Sequence, residues 1–411
     1  MQKLSTSMVR RIIGRLKREA IIHFYHLCCF LPLQNKVIAR SFEGRQYGDN
    51  PRGIMDNLQG QGLDLVWITR NGNQSSIPEG TRLVSCEDTF RMLYEYATAK
   101  VWIDTHHVPL SVRRKRKEQL LIETWHGGLG IKKLELAVPI FQNTQWMQNM
   151  VNHTNRMVDV FITNSDHLTK AYRSAFRYEG KVWKIGYPKN DVILCGSAQA
   201  AHDRVCDVFS IDHDTKIAIY APTYRDKHRA DAAYLNEIYT LDGRCVLETL
   251  GQRFGGNWKL FIRLHPVLET EQLNIFADQD NDWINATHYP DMQELIMSAD
   301  AFISDYSSCI FDAALRDIPC FTYATDFDAY KGTRGVCFEM KELSFPYATS
   351  NDELARNIRD FDQEDYLKKW EAFKIQTGLY ETGHAGKDIA CVITEFIKGN
   401  RKPLDEIKSE P

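Results

Sequence analysis

The 411-residue sequence contains no apolar run of the ~18 or more residues needed to span a bilayer. Its best stretch, 21–33, is interrupted by His23, His26, Cys28 and Cys29 and ends beside Pro32. That stretch also lacks the small-residue cleavage site of a secretory signal, so a cytoplasmic chain is expected. The 10 cysteines are scattered, with Cys28-Cys29 as the only adjacent pair. None forms a C-x-x-C motif, and no Cys/His group has zinc-finger spacing. Free thiols in a reducing compartment are therefore expected, not a disulfide framework. Net charge is only −3, so nothing global points to nucleic acid. No G-x-x-x-x-G-K-[ST] loop is present, which disfavours a P-loop NTPase. No G-x-G-x-x-G follows the first strand, which disfavours a dinucleotide oxidoreductase. No G-x-S-x-G elbow, internal repeat or low-complexity tract occurs.

Hydrophobic residues make up 43% of the chain and charged residues 26%, enough to build cores. The length suits two or three domains. Short apolar runs alternate with longer helical stretches. The first series of strands is expected at 37–41, 65–69, 101–104, 120–124, 160–164 and 182–185. A second falls at 217–221, 260–264, 301–304 and 320–323. Near-continuous apolar strands separated by helices mark parallel sheets covered on both faces. Two series predict an α/β protein of two doubly wound, Rossmann-like domains. The expected boundaries are 1–34 for a basic amphipathic helix and 35–186 for the first domain. The second domain is expected at 187–375, and a C-terminal helical segment and tail at 376–411. The turn formers of Gly186-Tyr187-Pro188-Lys189-Asn190-Asp191 make the linker. The stretch 364–398 reads as helical with a break near Gly383 and Gly386, and 399–411 as a frayed polar tail.

The N-terminal helix carries Arg10, Arg11, Arg15, Lys17 and Arg18 among apolar residues that include Ile12, Ile13, Leu16 and Leu27. Such a helix either lies in an anionic membrane surface or packs on the first domain with its charges in water. Arg113-Arg114-Lys115-Arg116-Lys117 is a second basic cluster suited to anionic lipid or polymer.

Four segments carry chemistry. An apolar strand runs directly into Trp125-His126-Gly127-Gly128, which places His126 at the carboxyl end of a strand, where open α/β sheets bind ligands. His126 is a candidate base for an acceptor hydroxyl, or a structural loop cap. Lys132 and Lys133, just downstream, are candidates for holding phosphate. Arg263-Leu264-His265-Pro266 ends a strand of the second series and puts an Arg and a His beside one another, a pairing suited to phosphate. Ser304-Asp305-Tyr306-Ser307-Ser308 precedes a helix. Its serines are natural N-caps, and the helix start is a phosphate site in waiting. Ala221-Pro222-Thr223-Tyr224-Arg225 ends the first strand of the second series, with Thr223 and Arg225 expected to face the cleft.

In this order and spacing, the segments resemble the CDP-glycerol glycerophosphotransferase family: teichoic-acid primases and polymerases and their capsule-pathway relatives. Ser41-Phe42-Glu43-Gly44, Tyr47-Gly48-Asp49-Asn50-Pro51, the 186–191 linker and Phe311-Asp312 add to the likeness, which runs from about 37 to 390. The resemblance implies a GT-B fold with a C-terminal helix crossing back. It implies a donor nucleotide held mainly by the second domain and no catalytic metal or cofactor. It further implies transfer of glycerol phosphate from CDP-glycerol to an acceptor hydroxyl of a lipid-linked or polymeric saccharide or polyol phosphate. The implied place of work is the cytoplasmic face of the membrane, as a peripheral protein. The expected catalytic pair is His126 and His265. Ser307, Ser308, Thr223, Arg225, Arg263, Asp305 and Gly127 are expected around the donor. Lys132, Lys133, Arg113 and Arg114 are expected at the acceptor or the membrane. Two departures stand out. Gly128-Leu129-Gly130 replaces the family's Thr-Pro, and Thr382-Gly383-His384-Ala385-Gly386-Lys387-Asp388 lacks its Asp and Arg. Two rival readings keep the fold: CDP-ribitol or a nucleotide sugar as donor, or a non-catalytic membrane-surface binding module.

Overall fold

The computed structural model describes residues 6–70, 77–225, 232–265, 268, 273, 275 and 282–407, with the side chains of 6–12, 232 and 405 left out. Pro266, the side chains of Arg10 and Arg11, and the end of the expected tail fall outside this set.

Two all-parallel sheets organise the chain. The first runs in the order β3-β2-β1-β4-β5-β6-β7. Its strands are β1 (Gln34–Arg40), β2 (Asp64–Thr69), β3 (Thr81–Ser85), β4 (Ala99–Asp104), β5 (Leu120–Glu123), β6 (Val160–Thr163) and β7 (Lys181–Lys184). The second runs β10-β9-β8-β11-β12-β13. It contains β8 (Lys216–Tyr220), β9 (Trp258–Ile262), β10 (Trp283–Asn285), β11 (Ala301–Ser304), β12 (Cys320–Tyr323) and β13 (Tyr347–Ala348). β1 and β4 through β6, and β8, β11 and β12, are almost wholly buried, as continuous Val/Ile/Leu/Phe runs require. The expectation missed β3, β10 and β13. All three lie at sheet edges, where partial exposure leaves mixed sequences such as Thr-Arg-Leu-Val-Ser.

Each sheet has its own hydrophobic core. The chain passes between them twice. The first crossing is the short turn Pro188–Asn190. The second returns after helix Gln363–Thr377 of the second core. Helix Ala385–Ile397 then buries Ile389, Ile393 and Phe396 in the first core. The stretch 364–398 is therefore two helices in different domains. A Cβ on Gly386 would lie 2.5 Å from the Gly53 carbonyl, so the crossing helix meets helix Asp49–Asp56 backbone to backbone. The supposed polar tail contains a further helix, Lys402–Glu406, with Arg401 over the Phe396 ring.

The N-terminal helix runs Thr6–Cys28. Tyr25, Cys28 and Cys29 enter the first core, whereas Leu16, Leu27 and Phe30 stay 64–80% exposed.

Candidate active site

The first bank of the site is the carboxyl edge of β1, β4 and β5. Arg40, Asp104 and Glu123 are register neighbours there. Arg40 Nε donates to Asp104 Oδ2 at 3.0 Å, and its Nη2 donates to the His107 carbonyl at 2.6 Å. Arg40 is thus paired with Asp104 alone, while Glu123 Oε1 accepts from Trp125 N at 3.1 Å and its Oε2 is buried without a hydrogen-bond partner. Burial lifts Asp104 to about 6 and Glu123 well above the usual carboxylate range. Beyond β5, Trp125 takes φ +53, a left-handed conformation that bulky residues rarely adopt. The turn is pinned by Asn50. Its Nδ2 donates to the carbonyls of Thr124 and Trp125 (3.4 and 3.3 Å), and its Oδ1 accepts from Lys189 N at 3.2 Å.

This turn presents His126. Nδ1 lies 3.2 Å from the Thr105 carbonyl, which can only accept. Nδ1 therefore carries the proton and Nε2 keeps its lone pair. Trp125, Phe42 and His106 rings surround the imidazole at 4.3, 5.4 and 5.8 Å. Burial among them lowers its pKa to about 4, although the ring keeps partial solvent access. A neutral imidazole with an available nitrogen is the form that accepts a proton at neutral pH.

The second bank is the carboxyl edge of β8, β9 and β11, and it corrects several expectations. Arg225 does not face the cleft. It is 5% exposed, bonded to Asp326 through Nε and Nη2 (3.0 and 2.9 Å), to Asp305 through Nη2 (2.9 Å) and to the Thr223 carbonyl through Nη1 (2.5 Å). Tyr306 and Tyr330 rings flank its guanidinium at 5.1 and 4.9 Å. Burial alone would lower its pKa, but Asp305 and Asp326 raise it. Asp305 is equally committed, because its Oδ1 accepts from the backbone N–H of Thr223 and Tyr306, tying the end of β8 to that of β11. Thr223 Oγ1 is buried without a hydrogen-bond partner. Arg263 Nη1 holds the carbonyls of Ala286, Thr287 and Tyr289, and burial lowers its pKa to about 10. Arg225, Asp305 and Arg263 are thus framework for the loops beside them.

His265 stacks on Tyr224, ring centroids 4.6 Å apart. Ser308 occupies the N-cap position of helix Cys309–Ala314, yet its hydroxyl makes no capping bond. Ser307 Oγ accepts from Cys309 Sγ at 3.0 Å. The helix has 6 residues, so its dipole is weak and the loop's own donors matter more.

The banks meet at Gly127, where a Cβ would lie 3.6 Å from Ser308 Oγ. The following loop docks on the second domain. Leu129 and Ile131 enter its core, Ile131 O accepts from Cys337 N, and Lys133 N donates to Gly335 O. Lys132 and Lys133, with Gly128, Gly130, His167 and Cys337, line a cavity of about 320 Å³. Arg113 and Arg114 lie elsewhere, the Arg114 carbonyl accepting from Tyr25 of the N-terminal helix. His384 pairs with Asp388 at 2.7 Å on an exposed surface.

Lys189, Asn190, Asp312 and Asp49 stood in the family-like segments without a role, and Glu381 was missed, yet these residues hold the banks together. Lys189 and Asp312 form a buried ion pair at 2.5 Å across the crossing. Glu381 accepts from Asn164 Nδ2, Asn190 Nδ2 and Tyr187 N (2.8, 2.7 and 2.8 Å), and burial raises it to about 7. Asp49 is also raised to about 7 by burial. The linker motif contained Lys189 and Asn190, but their partners are 123 and 191 residues away.

Comparison with known proteins agrees with this architecture. The chain is 28% identical to a teichoic acid poly(glycerol phosphate) polymerase of Staphylococcus epidermidis over 88% of its own length, spanning 51% of that protein. It is 26% identical to a polymerase of the same name from Bacillus spizizenii, covering 90% of this chain and 94% of that one. A Staphylococcus aureus teichoic acid glycerol-phosphate transferase matches at 25% identity over 94% of this chain and all of its own. A solved structure of the wall teichoic acid polymerase TagF, soaked with CDPG, superposes with TM-score 0.81 at 26% identity, covering 95% of this chain and 96% of that one. The model for CDP-glycerol:poly(glycerophosphate) glycerophosphotransferases matches residues 23–395. With that match spanning both sheets and the crossing helix, the chain belongs to the CDP-glycerol:poly(glycerophosphate) glycerophosphotransferase family and is an enzyme of glycerol-phosphate transfer in teichoic-acid synthesis.

Proposed function

We propose that an acceptor hydroxyl, deprotonated by His126 Nε2, attacks the β-phosphorus of CDP-glycerol. A P–O bond to the acceptor forms, the bond to the bridging oxygen breaks, and CMP leaves with that oxygen. His265 stabilises charge on the transferring group, and Ser307 and Ser308 hold the diphosphate. The observation that carries this reading is the Nδ1-protonated, neutral state of His126 beside a loop that touches Ser308. Arg225, Asp305, Thr223 and Arg263 keep the donor loops in shape without touching phosphate. The reading needs no cofactor beyond the substrate. Lys132 and Lys133 border the acceptor side through the lysine-rimmed cavity.

The acceptor in this reading is a lipid-linked or polymeric saccharide or polyol phosphate, met at the cytoplasmic face of a membrane. Among the described residues no helix is long and apolar enough to cross one. The surface argument is the N-terminal helix, whose exposed Ile13, Leu16, Leu27 and Phe30 lie beside a basic loop. Arg116 of that loop bonds the Leu31 carbonyl at 2.7 Å. A relative named as a ribitol-phosphate primase keeps CDP-ribitol as the second reading for the donor.

The deciding experiment incubates the full chain with a prenyl-linked acceptor and, separately, CDP-glycerol, CDP-ribitol or a UDP-sugar. Product mass and CMP release are recorded. A glycerol-phosphate mass increment with CDP-glycerol alone is expected. An increment only with another donor, or tight CDP-glycerol binding without CMP release, would refute the assignment.

A further inference from the structure

The turn after β4 carries a second group of chemically able side chains. His106 and His107 leave the strand directly, and Glu135 arrives from 28 residues beyond His107. One nitrogen of each imidazole and one Glu135 oxygen fall within 4.8 Å of one another. His107 and Glu135 are 6% and 8% exposed. His107 Nε2 and Glu135 Oε2 stand 3.2 Å apart. Ligands bonded to zinc at 2.0–2.1 Å in a tetrahedron lie about 3.3–3.4 Å from one another.

Three further features single the group out. His106 Nδ1 is buried with no hydrogen-bond partner, an unusual condition for a buried polar atom. His107 Nδ1 lies 3.0 Å from Thr154 Oγ1, an outer contact of the kind that orients a ligating imidazole. Glu135 is held at φ +40, a left-handed backbone that persists in a non-glycine residue only where its surroundings enforce it.

We propose that His106, His107 and Glu135 bind one zinc-class divalent cation, with water completing the coordination. Two imidazoles and a carboxylate suit zinc, whereas magnesium and calcium seek oxygen. The cation's role is positional. The carbonyl that accepts the hydrogen bond from His126 Nδ1 belongs to Thr105, next to His106. Fixing the His106–His107 turn therefore fixes the tautomer of His126. The site lacked a sequence signature because its carboxylate lies on a separate loop.

The full chain, stripped of metal by a chelator and desalted, is titrated with Zn²⁺ against a chromophoric competitor. Uptake of about one equivalent per chain is expected. Glu135→Gln, which keeps the size of the side chain, and His107→Ala should abolish it. Thr154→Val should weaken it about 10–100-fold. His213→Ala, which removes an exposed imidazole between Asp203 and Asp207, should leave it intact. Zinc should raise the melting temperature of the native chain and leave that of Glu135→Gln unmoved. Absence of uptake by the native chain, or equal uptake by Glu135→Gln, overturns the proposal. If His107→Ala fails to fold, Glu135→Gln decides.

Discussion

Burial is answered differently at the key side chain of each bank, His126 on the first and Arg225 on the second, although Arg40 and Asp104 also pair on the first. On the first, desolvation among aromatic rings keeps His126 and His106 neutral. On the second, desolvation acts on full charges, and the answer is compensation: Arg225 between Asp305 and Asp326. The first bank keeps an imidazole nitrogen open, whereas the second gives the donor loops a rigid base. Reactive groups are therefore to be sought where burial leaves a lone pair open, and framework groups where every charge is matched.

The largest test of this contrast is His126→Ala. Loss of a positioned base should lower CMP release about 10²–10⁴-fold, with unchanged circular dichroism and melting. Turnover within a few-fold of native would remove the contrast. The same imidazole sharpens it through pH. With the folded pKa at about 4, activity should be lost as pH falls through about 4, not 6.5. The sign for stability agrees. Between about 6.5 and 4 the unfolded chain binds a proton at this site that the folded chain does not, so the site's contribution falls as pH falls through that window. An acid limb near 6.5 in kcat/KM would contradict the assignment.

Arg225→Met probes the opposite bank. Two buried carboxylates would lose their counter-charge, so denaturant unfolding should report a loss of about 3–5 kcal/mol. A change below 1 kcal/mol would mean that the triad is not holding the fold. Ser308→Ala should leave stability unaltered and weaken donor binding by about 1.5–3 kcal/mol, the worth of a hydrogen bond to a charged group. Calorimetry with CDP-glycerol reads this directly. The smallest effect belongs to the periphery. Arg114→Glu should weaken sedimentation with anionic vesicles by about 1 kcal/mol per unit of charge changed, without altering turnover on a soluble acceptor.

Much of the fold was readable because central parallel strands must be apolar on both faces, which β4, β8 and β11 satisfy. The edge strands β3, β10 and β13 escaped because one side of each meets solvent. At the site, His126, His265 and Ser308 were visible as polar residues directly after apolar strands. Their neighbours were misjudged where a side chain's direction depends on partners far along the chain. Arg225 turned inward because Asp305 and Asp326 lie 80 and 101 residues away. The Gly128-Leu129-Gly130 segment looked like a departure from a pattern, yet Leu129, with Ile131 just after it, is a peg that seats this loop in the second core.

The paired crossings have a mechanical consequence. Two covalent connections run side by side, stapled by Glu381 to Tyr187 and Asn190 of the linker and to Asn164 of the first half. A single tether would let the halves twist and slide freely. A double tether, together with the Leu129 and Ile131 pegs, restrains that twist and slide and so keeps His126 at one address against the second half.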